Sequence, residues 1–192
     1  MVEKPSDEAL AAKAKEGDIR SFEELFEKYK KPILNFIYRM IGNKETAEEV
    51  TQEVFIKMYK NLAIYDPGKK FITWIYTIAR NLAKNALRDR KYFRDASLEE
   101  VIAEGDEQVT LKDVISDDTM RPDTIAENEE LANEAQKILD SMPVKYKEVI
   151  TLCNIQNLTY KEAAGIIGCS ILTVMMRLKS AKKLFMEKLN LE

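Results

Sequence analysis

Apolar residues recur at helical spacing along nearly the whole chain. Phe71, Trp74, Ile75, Ile78 and Leu82 follow the i, i+3, i+4 rule and predict a helix from about 71 to 92. An earlier helix carries Phe22, Leu25, Phe26 and Tyr29, with Ser21 and Glu24 spaced as a capping box at its start. Pro32 predicts a bend or a fresh start there. The pattern resumes through Ile33, Leu34, Ile37 and Met40 and stops at Gly42-Asn43. A third helix is predicted from about 44 to 61, with Val50, Val54, Phe55 and Met58 facing inward, and Asp66-Pro67-Gly68 is a turn. The next stretch loses the pattern, apart from a short helix expected near 98–103. Helical spacing returns over 126–139 and again after Pro143, a residue suited to a first helical turn.

The segment 159–183 reads as a helix-turn-helix. Thr159 and Glu162 form a capping box, and Ala163, Ala164, Ile166 and Ile167 make a buried face. Gly168 stands where a helix end favours a left-handed residue, and Ser170 can cap a second helix seamed by Val174, Leu178 and Ala181. Arg177, Lys179, Lys182 and Lys183 make that helix's outer surface basic, which suits phosphates.

Composition agrees with an all-α chain. Its 192 residues include only 6 Gly and 5 Pro, few turn formers for a β fold. No window of 18 apolar residues predicts a membrane span, and residues 1–8 lack the basic start and apolar run of a signal peptide. Cys153 and Cys169 show no CxxC spacing, so a reducing cytoplasmic compartment with both thiols buried is expected. The net charge of −3 conceals a segregation: residues 95–130 carry 13 acidic and 2 basic side chains, and the remainder carries a net +8. Two basic helical domains joined by an acidic flexible linker are expected, at 6–94, 95–123 and 124–192.

Three blocks in this order resemble bacterial sigma-70 family sigma factors of the extracytoplasmic-function (ECF) group. Thr46-Ala47-Glu48-Glu49-Val50-Thr51-Gln52-Glu53-Val54-Phe55 is similar to the family's polymerase-binding helix. Phe71-Ile72-Thr73-Trp74-Ile75-Tyr76-Thr77-Ile78-Ala79-Arg80-Asn81 is similar to its next conserved stretch. Leu139-Asp140-Ser141-Met142-Pro143 and the helix-turn-helix resemble its C-terminal domain. The resemblance implies a region 2 bundle and a region 4 helix-turn-helix that bind core RNA polymerase, through its clamp coiled coil and flap, and direct promoter-specific initiation. It also implies an anti-sigma factor as a further partner.

Glu45, Glu48, Glu49, Gln52 and Glu53 stripe one face of the third helix. A solvated face is one reading. The resemblance implies the other, that Glu48, Glu49, Gln52 and Glu53 dock on the basic clamp coiled coil, with charge setting encounter and register more than affinity. The fourth helix ends in Arg80, Lys84, Arg88, Arg90, Lys91 and Arg94 against one acid, Asp89, more than a helix dipole requires. Basic residues beside aromatics suit single-stranded DNA. Periodicity assigns Phe71 and Trp74 to the core, leaving Tyr65, Asp66, Lys69, Lys70 and Asn81 as the better contacts for an extruded base. The resemblance implies that the 65–70 loop and this helix, with Arg80, Lys84 and Arg88, melt and read the minus-ten element. Capturing the unpaired strand would offset an unpairing cost of a few kcal/mol without hydrolysis.

The recognition helix departs from the family. Thr173, Val174, Arg177 and Leu178 fit its pattern, whereas Leu172, Met175 and Met176 put apolar groups where polar side chains would meet base edges. Methionine forms none of the bidentate contacts worth about 1–3 kcal/mol each. Either Met175 and Met176 touch thymine methyls and leave minus-thirty-five readout to Lys179, Ser180 and DNA shape, or the patch binds protein. Arg177, Lys182 and Lys183 remain as phosphate contacts.

Other functions fit less well. A free-standing helix-turn-helix regulator binding duplex DNA as a dimer explains only the C-terminal half. An enzyme is disfavoured by the absence of histidine, of a P-loop glycine pattern and of a nucleophile context. No cofactor and no metal site is expected, since a carboxylate metal centre would normally recruit histidine too. The acidic linker suggests a mimic of DNA that threads the polymerase's basic channel.

Overall fold

Each of the first three helices starts at a local side-chain cap. The computed structural model describes residues 5–95 and 129–189. Helix α1 (Asp7–Lys15) is capped by Ser6, whose Oγ accepts from Ala9 N at 3.2 Å. Helix α2 (Ile19–Ile41) is capped by Asp18 and not by the expected Ser21–Glu24 box. Asp18 lies one turn earlier, accepts from Arg20 N at 3.2 Å and takes the Ser21 hydroxyl at 2.6 Å. That hydroxyl bond is the main reason its carboxyl titrates below the usual range. Pro32 neither ends nor restarts α2, which runs unbroken to Ile41. A proline inside a helix costs about 3 kcal/mol. Burial of Leu25, Ile33, Phe36 and Ile37 on the same helix outweighs that, at about 1.5–3 kcal/mol per side chain.

Gly42 closes α2 in the left-handed conformation (φ 75°), and Asn43 caps helix α3 (Lys44–Asn61) by accepting from Thr46 N at 2.8 Å. A 3-10 turn, Leu62–Ile64, leads through the 65–70 loop to helix α4 (Phe71–Asp95). After the undescribed stretch, which contains the acidic linker and the short helix expected near 98–103, come α5 (Glu129–Asp140) and α6 (Val144–Ile150). The expected start of α5 at 126 falls outside the described residues. Pro143 takes the cap position before α6 (φ −55°, ψ 140°) and not the first turn. The chain then widens into a π-type turn, Thr151–Ile155, which periodicity did not foresee. Helices α7 (Tyr160–Ile167) and α8 (Ile171–Leu189) form the helix-turn-helix.

No strand occurs among the described residues. Their buried side chains form one continuous core that includes residues of both halves. The two helical units are thus packed together, with α2 and α4 against α5, α6 and α7. Polar contacts rim the junction. Arg39 Nη1 donates to Gln136 Oε1 at 3.1 Å, and Lys147 Nζ donates to the Met40 carbonyl at 3.2 Å and to Asp140 at 3.1 Å. The Tyr76 hydroxyl donates to Gln156 Oε1 at 2.8 Å, and Gln156 Nε2 donates to Asn35 at 3.2 Å. Gly165 of α7 faces Thr73 of α4 so closely that an added Cβ would lie 3.0 Å from Thr73 Cγ2.

Candidate nucleic-acid interface

Helix α3 presents two faces. Val50, Val54, Phe55 and Met58 are buried as the spacing predicts. Glu45, Glu48, Glu49, Gln52 and Glu53 are exposed on the other side. The exposed row continues into Ile56 and Tyr59, 53% and 68% exposed, two residues that charge patterning along the helix does not mark. The available signal was Ile56, an apolar residue out of phase with the inward seam. Lys57 pairs with Glu53 at 3.1 Å, so part of the acidic charge is compensated within the helix.

The 65–70 loop is held by its own groups. Tyr65 is 2% exposed and packs against Phe71 and Trp74, with ring centroids 5.6 and 4.9 Å away. Burial is the main cause that pushes its hydroxyl up to about 12, so the group stays protonated and donates to the Lys69 carbonyl at 2.6 Å. In this conformation Tyr65 supports the loop and offers no ring face to a base. Asp66 accepts from Gly68 N at 3.0 Å, closing the turn. Asp66, Lys69 and Lys70 are exposed.

Along α4, Asn81, Lys84 and Arg88 lie outward, and the side chains of Lys84 and Arg88 are 48% and 76% exposed. Arg80 behaves differently. Its guanidinium engages the buried Glu148 of α6 through two bonds, Nε to Oε1 at 3.1 Å and Nη2 to Oε2 at 3.2 Å. Lys84 Nζ lies 3.8 Å from the same carboxylate. The side chains of Arg90, Lys91 and Arg94 fall outside the described residues.

In the helix-turn-helix the capping box at Thr159 is complete, with Glu162 N donating to Thr159 Oγ1 at 3.3 Å and Thr159 N to Glu162 Oε2 at 3.0 Å. Gly168 is left-handed (φ 78°), and Ser170 Oγ accepts from Thr173 N at 3.0 Å. Val174, Leu178 and Ala181 are buried. Leu172, Met175, Met176 and Arg177 are half-buried, Lys182 likewise, and Lys179, Ser180 and Lys183 are exposed. Lys183 lies 3.8 Å from Glu187. Both thiols are half-buried and not fully buried as expected. The Cys169 thiol is raised chiefly by burial. Arg177 and Arg80 act against that and Glu148 adds to it.

Residues 25–92 match sigma-70 region 2 and residues 132–185 match sigma-70 region 4. The chain is 33% identical over 177 residues to the ECF RNA polymerase sigma factor SigW of Bacillus subtilis, covering 91% of this chain and 92% of that one. The chain belongs to the ECF sigma factors. It is also 31% identical to the RNA polymerase sigma-H factor of Pseudomonas aeruginosa, covering 95% of this chain and 93% of that one. Its fold is similar to CnrH in complex with the cytosolic domain of CnrY, with a TM-score of 0.73 and 21% identity over 98% of this chain and 99% of that one. A second similar fold is the sigma factor RpoE of Bartonella quintana in complex with the anti-sigma factor NepR, with a TM-score of 0.67 and 20% identity over 91% and 99% of the two chains. As a sigma factor the chain directs transcription initiation, with core RNA polymerase and promoter DNA as its partners. A dimeric helix-turn-helix regulator is set aside, because the N-terminal half matches region 2. No single helix among the described residues is long and apolar enough to cross a membrane.

Proposed function

We propose a division of labour among the surfaces of this sigma factor, with residues 6–94 as region 2, 95–123 as a tether and 124–192 as region 4. Glu48, Glu49, Gln52 and Glu53 dock α3 on the clamp coiled coil, and Ile56 and Tyr59 extend that footprint. Carboxylates at the rim speed encounter and set register, while the two apolar side chains add desolvated area. Asp66, Lys69, Lys70, Asn81, Lys84 and Arg88 capture the opened minus-ten strand, joined by Arg80 once it leaves Glu148. Thr173, Arg177, Lys179, Ser180, Lys182 and Lys183 hold the minus-thirty-five duplex, chiefly through phosphates. The chain itself is not an enzyme in this reading, since the polymerase performs the chemistry, and it acts in the cytoplasm where the polymerase is.

An anti-sigma factor is a further partner in this reading. A cleft of about 410 Å³ runs between the two helical units, lined by Lys28, Tyr29, Lys70, Tyr76, Ile155 and Gln156 among others. It offers mixed charge and apolar walls to an inserted helix.

The observation that carries the proposal is the two-faced α3, with a buried apolar seam opposite an exposed acidic and apolar row. Reversing Glu49 and Glu53 to lysine tests it. Association with core polymerase should slow by at least tenfold, with a weaker dependence on salt and an unchanged melting temperature. Unchanged association would overturn the assignment of this face.

A further inference from the structure

Helix α1 lies before the stretch that matches region 2, yet both ends of the 65–70 loop are bonded to it. At the far end Glu8 Oε1 accepts from Phe71 N at 3.1 Å. At the near end Lys15 Nζ donates to the Tyr65 carbonyl at 3.2 Å. Phe71 N is the first helical N–H of α4, one of the donors that a helix start leaves without an internal partner. A cap side chain usually supplies the acceptor, but the residue before α4 is Lys70, whose ammonium accepts nothing. Glu8 therefore caps α4 from a distant helix, and its negative charge also suits that helix end.

The helix that carries Glu8 is itself anchored. Asp7 accepts from the Tyr29 hydroxyl at 2.6 Å and from Lys28 Nζ at 2.7 Å, and Leu10 and Ala11 are buried beneath it. Between the two tethers the loop is closed by the Tyr65 hydroxyl on Lys69 O at 2.6 Å and by Lys69 N on Asp66 O at 3.0 Å. Its backbone is thus fixed while Asp66, Lys69 and Lys70 extend into solvent. A loop already in its bound shape pays little ordering cost when it captures a strand.

We propose that Glu8 is a positioning residue for promoter opening, with Lys15 as its weaker partner: α1 holds the 65–70 loop in the shape that captures the unpaired strand. Glu8 is half-buried and bonds a helix N–H, whereas Lys15 is exposed and bonds one carbonyl, so Glu8 carries most of the effect. The inference rests on the assignment of the 65–70 loop to the minus-ten strand.

The test uses the full chain with core polymerase, a duplex promoter carrying a fluorescent base in the minus-ten element, and a parallel measurement of core association. Glu8→Ala should slow opening about fivefold, the scale set by loss of one cap acceptor. Glu8→Gln should recover most of the rate, because the amide oxygen can still accept from Phe71 N, and Lys15→Met should show a smaller defect. Core association should stay at the wild-type level in all three. Wild-type opening by Glu8→Ala, or a fall in core association that matches the fall in opening, would overturn the proposal. The joint variant Lys69→Ala with Lys70→Ala tests the premise separately: if it opens the promoter normally, the loop assignment itself fails and the inference falls with it. If that variant is defective while Glu8→Ala is normal, only the positioning role fails.

Discussion

Glu148 and Arg80 form a two-pronged ion pair across the junction of the two helical units, with Glu148 only 2% and the Arg80 side chain 14% exposed. Removing one member of a buried pair typically costs about 3–5 kcal/mol, because the other is left uncompensated. Here the orphaned Arg80 has an escape. Parting of the units would return it to water.

Glu148→Gln should therefore loosen the junction more than it melts the helices. The expected result is a larger radius of gyration by small-angle scattering and tighter binding of a single-stranded minus-ten oligonucleotide. The affinity gain equals the rise in the fraction of molecules whose Arg80 is available. Identical radius and affinity in the variant would show that the pair does not hold the units together.

Gly42 is constrained twice. Its φ of 75° disfavours any side chain, and an added Cβ would lie 2.3 Å from Asp140 Oδ2. Asp140 is engaged by Lys147 and by Gln136 Nε2 at 3.1 and 3.0 Å, so it cannot turn aside without losing those bonds. Gly42→Ala should lower stability by about 1–2 kcal/mol from the backbone alone. Urea unfolding measures this, and a variant as stable as wild type would refute the constraint at this position.

Burial pushes the Cys153 thiol up to about 11, with Lys182 acting weakly in the opposite direction. The folded state thus favours the protonated thiol, and thiolate appears only as pH rises toward that value. At pH 8 the reactive fraction should be ~100-fold below that of an unperturbed thiol titrating at 9.0. Alkylation of Cys153 followed by mass spectrometry should be slow at pH 8 and rise about tenfold per pH unit up to about 11. The same linkage removes stability as pH rises from 9.0 to about 11. A labelling rate that levels off below pH 9 would contradict the burial.

Met175 and Met176 are half-buried beside Arg177 on the recognition helix. Replacing them with Arg and Ser should sharpen upstream-element preference, because one bidentate base contact is worth about 1–3 kcal/mol. Competition binding across upstream variants measures the change. Equal selectivity before and after would remove the idea that these thioethers weaken readout.

The helices and the helix-turn-helix were legible because local signals fix them. The Thr159–Glu162 box, Gly168, Ser170 and the Val174–Leu178–Ala181 seam each act within one or two turns. What escaped the sequence was a choice between neighbouring caps, a tolerated proline and a set of non-local contacts. Asp18 won the α2 cap from Ser21 because it lies one residue before the helix and takes the serine hydroxyl as well. Pro32 was tolerated because buried neighbours on both sides hold α2 together. Glu8 capping Phe71, and Glu148 engaging Arg80, join residues 63 and 68 positions apart, beyond any periodicity. The candidate DNA contacts divided for the same reason. Lys69, Lys70, Asn81 and Arg88 are exposed as their chemistry suggested, but Tyr65 and Arg80 are enclosed by partners that only the fold brings near.

The most direct test of the whole account is run-off transcription by core polymerase with this chain on a library of promoter fragments. The account expects starts at defined positions downstream of a shared pair of elements, lost when Glu49 and Glu53 are reversed to lysine. Starts no different from those of core polymerase alone would contradict it.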